Sequence, residues 1–186
     1  RALRGGSAGS RRQTDTIREA PMFDLKPLST DAIESALAKA ERYRFLNEPS
    51  EAESICLDIL EVDPDNQQAQ VVLLLALSDQ FGDASGAASR AQQLAGQLRG
   101  EYDRLYFSGL VAERRAKAHL HRGGAAAPGA YEWLMDALEY FERAEQVRPA
   151  GNDDAILRWN ACVRVLKQHP HLQPAPHARE EPQFLE

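Results

Sequence analysis

The chain has 186 residues, which suits one domain with tails or a short solenoid. Its hydrophobic fraction is 43% with only 7% aromatic residues, and alanine and leucine supply much of that content, which favours close-packed helices over a sheet. The net charge is -6, and the five arginines of residues 1–20 (Arg1, Arg4, Arg11, Arg12, Arg18) against Asp15 and Glu19 leave -9 on the remainder, so the body is a poor fit to a nucleic-acid backbone and no nucleic-acid partner is expected, while the basic tail alone could touch an acidic surface.

Residues 1–28 read as a disordered or strap-like tail. Gly, Ser, Arg and Gln dominate its start, and Pro21 and Pro27 bracket the apolar cluster Met22, Phe23, Leu25 and Leu28, which is expected to pack back on the domain. A helical domain follows over 29–169. Its first helix runs from about Thr30 to Leu46, with Ser29, Thr30 or Asp31 as cap. The second starts at Pro49, a residue suited to a first helical turn, and stops before Asp63-Pro64. The third starts from the cap Asn66 and reaches Gly82, and the fourth spans about Ala84 to Leu98. The fifth spans Glu101 to His121 and breaks at Gly123-Gly124. The sixth spans Gly129 to Val147 ahead of Pro149, and the seventh Asn152 to Gln168 ahead of Pro170. Residues 170–186, with Pro174, Pro176 and Pro182, read as an extended tail. No segment has sustained strand alternation.

The residues that could carry chemistry form no catalytic pattern. Cys56 and Cys162 fall on or near apolar stripes and read as small buried hydrophobes. His119 and His121 stand two apart on a helix and do not share a face; with His169, His171 and His177 they supply no spacing of a zinc site. Gly5-Gly6 and Gly123-Gly124 lack the context of a phosphate loop, and no nucleophile elbow occurs. The expectation is therefore no enzyme, no cofactor and no metal. No apolar run is long enough for a membrane span, and Arg1–Ser7 has no signal-peptide core, so no membrane association and a cytoplasmic location are expected.

One pattern repeats. Ala137, Phe141, Ala144 and Pro149 on the sixth helix are spaced by four, three and five, and Ala52, Cys56, Ile59 and Pro64 on the second copy that spacing. The small residues let helices approach, the large one fills the space between hairpins, and the proline ends the helix. This resembles the second helix of a tetratricopeptide repeat, and over about residues 30–168 the chain is identified as a divergent bacterial-type member of that family. It departs from the pattern at Ala36 and Lys39, at Leu74, and in the long connection Arg122–Gly129.

The resemblance implies an all-α fold: a right-handed superhelical stack of antiparallel helical hairpins, about three of them plus a capping helix with Ile156, Trp159, Val163 and Leu166 on one face. It also implies a protein-interaction module, an adaptor or assembly scaffold that binds a protein partner, as a peptide or helix, in its concave groove. The groove residues would be Leu37, Glu41, Arg44 and Phe45, then Val71, Leu75, Ser78 and Asp79, then Tyr106, Leu110, Glu113 and Arg114. Some relatives clamp chaperone carboxylates at the first-hairpin positions held here by Leu37 and Glu41. A glutamate repels a carboxylate, so that ligand is disfavoured there. The alternative is a structural subunit that self-associates into a homo-oligomer through the seventh helix and the tails, with Trp159 as the subunit contact.

Overall fold

The structure, a computed structural model, describes residues 23–82, 86–122 and 127–172. Among these residues every regular element is helical. A 3-10 turn, Thr30–Ala32, leads into α1 (Ile33–Phe45), followed by α2 (Pro49–Val62), α3 (Gln67–Asp79), α4 (Ala87–Gln97), α5 (Glu101–Arg122), α6 (Ala127–Gln146) and α7 (Asp154–Gln168).

Local chemistry sets the boundaries. After α1, Asn47 adopts a left-handed φ of 60°, which a short amide side chain tolerates. The Glu48 and Asn47 amides then return to the Tyr43 and Arg44 carbonyls at 2.9 and 3.0 Å, satisfying the end of the helix. Pro49 opens α2 and Pro64 follows its end. The Asn66 side chain accepts from the Ala69 amide at 2.9 Å and caps α3.

Several expected ends move by a few residues. α3 stops at Asp79 rather than Gly82, because the Gln80 amide tightens the last turn onto the Leu77 carbonyl. α4 begins at Ala87, after Gly86 at φ 82°, a conformation no helix continues. α6 begins at Ala127, ahead of the expected Gly129, since Pro128 fits a first turn. α7 begins at Asp154, because the Asn152 side chain stands outside the helix and accepts from the Asp154 amide at 2.9 Å and from the Tyr102 hydroxyl at 3.1 Å.

Each helix packs against the next in the chain, with α5 and α6 the most extensive pair. A second set of contacts joins α1 to α3, α3 to α5 and α5 to α7, whereas no pair of even-numbered helices makes contacts of that extent. The odd-numbered helices therefore form one close row and the even-numbered helices a second, more widely spaced one.

Two larger cores and one smaller core fill the space between the rows. The first gathers Leu37, Ala40, Ala52, Cys56, Ile59, Leu74 and Leu77, and reaches Val111 of α5. The second gathers Ala112, Ala116, Leu134, Ala137, Phe141 and Cys162, and includes Leu172 beyond α7. The third is Leu105, Ala144 and Ala155. α5 thus belongs to all three, and its residues Ser108–Glu113 are buried in succession. Both copies of the four-three-five spacing point inward: Ala52, Cys56, Ile59, Ala137, Phe141 and Ala144 are each 0% exposed.

At the N-terminal end, residues 23–29 form no regular element. Leu28 packs on the first core, while Phe23 and Leu25 are exposed. Met22 and the rest of the N-terminal tail, and the C-terminal tail from 173 on, lie outside the described residues.

α5 and α6 approach closely at Gly109 of α5. A Cβ there would stand 2.8 Å from Cε1 and 2.9 Å from Cδ1 of the Phe141 ring, which is itself fully buried. Alanine ordinarily gains about 0.5–1 kcal/mol over glycine inside a helix. Overpacking against an immobile ring costs about 1–3 kcal/mol. Gly109→Ala is therefore expected to lower the urea unfolding midpoint by about 1–2 kcal/mol of stability. Phe141→Leu in the same background is expected to recover part of that loss.

Candidate functional site

The odd row is joined by charge as well as by packing. Arg44 near the end of α1 reaches Asp79, the last residue of α3, through Nε at 2.9 Å and Nη2 at 2.8 Å. Arg114 of α5 donates to the other oxygen of the same carboxylate. Arg114 Nη1 also lies 2.6 Å from the Ser78 hydroxyl oxygen and 3.3 Å from the Leu75 carbonyl. Ser78 in turn donates to the Leu75 carbonyl at 2.8 Å, so its oxygen is held facing α5. Burial pulls the Arg114 guanidinium below its ordinary value, and Asp79 acts against that shift.

At Glu113, the residue before Arg114, the arrangement repeats. Glu113, only 1% exposed, takes Lys117 on Oε1 within α5, while Arg158 of α7 stands 3.7 Å from Oε2 and hydrogen-bonds Tyr106. Oε2 itself accepts no hydrogen bond among the described residues. Each carboxylate thus lies between two cations, and the two triplets cross the row from α1 to α7. Four cations face two carboxylates.

Beside the first triplet, between the end of α3 and the middle of α5, lies an open pocket of about 410 Å3. Ser78, Asp79, Phe81, Arg114, Lys117 and His121 line it.

The expected groove residues fall into three groups. Arg44, Ser78, Asp79, Glu113 and Arg114 come together in the ladder, with Tyr106 at its α7 end. Leu37 and Leu110 are buried, at 7% and 2%, and serve the packing; Leu75 and Val71 are half-buried, with Leu75 against the first core. Glu41 is half-buried close enough to Cys56 to act on it, and Phe45 is 87% exposed. Trp159 is 38% exposed on α7. Lys117, Arg158 and His121 were not anticipated. Lys117 had a readable signal, since it stands four residues after Glu113 and so on the same helix face.

Trp133 is covered by the Arg115 guanidinium, 3.6 Å above its ring, and belongs to the α5–α6 packing. His119, half-buried, lies against Gly129. No helix among the described residues is long and apolar enough to cross a membrane, and no three metal-ligating side chains gather among them.

Both cysteines are fully buried, and burial pushes each thiol from 9.0 up to about 12. Above pH 9 the unfolded chain releases these protons while the folded chain keeps them. Stability is therefore expected to fall as pH rises from 9 towards 12, with a limiting slope of about 1.4 kcal/mol per pH unit for each thiol. Urea midpoints across that window should decline less steeply for the Cys56→Ala, Cys162→Ala double variant.

Removing the Asp79 carboxylate leaves two partly buried guanidiniums facing each other. Asp79→Ala is expected to cost about 1–2 kcal/mol. Adding Arg44→Met should then cost less than it does alone, and strict additivity in the double-mutant cycle would show the pair to be uncoupled. Searches of protein-family models, curated proteins and solved structures give no match to this chain.

Proposed function

We propose that the chain is a protein-interaction module of tetratricopeptide type, a right-handed solenoid of about three hairpins closed by α7, whose odd-numbered row lines the groove and receives an acidic segment of a partner protein. Two features support the solenoid reading. The odd helices touch one another while the even ones stand apart, which is the condition for a stack that curves towards its odd side. The small and large residues of both four-three-five sets are also fully buried in the cores, Phe141 against α5.

The choice of partner rests on the division of charge between the two rows. α1, α3, α5 and α7 carry formal charges of +1, -1, +2 and +2, a sum of +4. α2, α4 and α6 carry -4, +1 and -4, a sum of -7. An acidic chain has thus placed most of its helical cations in one row, Arg90 and Arg143 excepted. Complementary potentials of this kind steer an oppositely charged segment to the groove and away from the outer wall. Within the groove, Arg114, Lys117 and Arg158 already share two carboxylates, and their surplus charge is what an incoming Asp or Glu side chain would meet. Glu41 tempers this at the α1 end, so the α3–α5–α7 portion is the favoured seat.

Fluorescence anisotropy with a labelled Glu-rich peptide and a Lys-rich peptide of equal length tests the reading. The acidic peptide is expected to bind, more weakly as NaCl is raised, and the basic one to stay free. Lys117→Glu with Arg158→Glu should reduce the acidic peptide's affinity by about tenfold or more. Equal binding of the two peptides, or none of the acidic one, would remove the proposal.

A further inference from the structure

The last helix keeps an apolar stripe of which the packed body covers only part. Ile156, Trp159 and Val163 stand at i, i+3 and i+7 on α7 and so share a face. Trp159 is 38% exposed, and Ile156 and Val163 are half-buried. None of the three is among the side chains that pack on the hydrophobic cores, whereas Leu166, which continues the same face, and Val165 beside it pack on the second core. Lys167 stands four residues beyond Val163 and Arg164 is its neighbour; both are exposed. α7 as a whole carries Asp154 against Arg158, Arg164 and Lys167, a formal +2. A tryptophan-centred stripe edged with cations is suited to an acidic segment bearing an apolar anchor.

We propose that this stripe is the docking site of the chain's own C-terminal segment, residues 173–186, with Phe184 as the anchor. Four observations point to that occupant. Leu172 is 7% exposed in the second core, so the chain leaves the body beside the C-terminal end of α7. From there to Phe184 are twelve residues, an extended reach of about 40 Å. Trp159 lies only about 14 Å back along the helix from Gln168. The segment holds Arg179 against Glu180, Glu181 and Glu186, a formal -2 that mirrors the +2 of α7. Pro174, Pro176 and Pro182 exclude a continuous helix there and suit an extended strap. At the opposite end of the molecule, Leu28 of the irregular segment 23–29 packs on the first core. The three stripe residues and the tail contribute no side chain to the two charge triplets, although Arg158, counted in the charge of α7, belongs to one of them.

The test uses the full chain with Trp133→Phe, so that Trp159 is the sole fluorophore, and compares it with the same chain carrying Phe184→Asp and Leu185→Asp. The double substitution is expected to shift Trp159 emission to longer wavelength and to raise its quenching by acrylamide. A synthetic peptide of residues 173–186 should reverse both changes, less effectively as NaCl is raised. Identical emission and quenching in the two chains would overturn the proposal. So would shielding that disappears on dilution together with a fall in light-scattering mass, because the occupant is then a second copy. Should Trp133→Phe prevent folding, benzoylphenylalanine in place of Phe184 in the otherwise unaltered chain gives a second readout. An intrachain crosslink to α7 supports the strap. A crosslink elsewhere, or between chains, refutes it.

Discussion

How closely helices can approach sets everything else in this molecule. α5 lies against α6 at a point where the one has no side chain and the other has a phenylalanine ring, Gly109 on Phe141. Around that contact, Ala112, Ala116, Ala137 and Ala144 are buried and offer little more than a methyl group each. Short side chains bring backbones together, and interior packing leaves no room to trade this for larger groups. α5 can consequently be enclosed by α3 and α4 on one side and by α6 and α7 on the other. It joins the three cores into one body.

That enclosure explains how Glu113 comes to be buried. A carboxylate in the interior is costly unless cations accompany it. Lys117 comes from the same helix one turn on, and Arg158 comes from α7. The Asp79 triplet does the same for the junction of α1, α3 and α5, with less burial. Desolvated charge groups of this kind contribute modestly to stability, because the Coulombic attraction is offset by lost hydration. They do fix which helix lies beside which, since a helix displaced from the row would leave a carboxylate without its second cation. The ladder and the close packing thus specify the same order of helices by different physics.

Much of the fold was readable from the residues alone. Proline and asparagine marked the helix starts, and alanine spacing marked the contact faces, because both act locally and leave a fixed offset in the chain. Some ends moved for local reasons, as at Gly86 ahead of α4, and others where a distant partner intervenes: Asn152 is claimed by Tyr102 fifty residues away. The candidate site was legible in part. Arg44, Ser78, Glu113 and Arg114 follow from their helical positions, but their pairing does not, since Arg44 meets Asp79 across a whole hairpin. Arg158 is the clearest omission. It lies on a helix read as a cap, and only the three-dimensional row brings it to Glu113. The charge difference between odd and even helices was present in the sequence throughout, and becomes meaningful once the helices are sorted into rows.

The two thiols have a consequence of another kind. Cys56 sits in the first core and Cys162 in the second, on helices that do not touch. No disulfide can join them within one folded molecule, because a bridge requires Cα atoms a few ångströms apart. Each is also shut away from oxidants and held as the unreactive protonated form. The folded body should therefore hold together equally well in reducing and in oxidising surroundings, and the redox state of its compartment places no demand on its architecture.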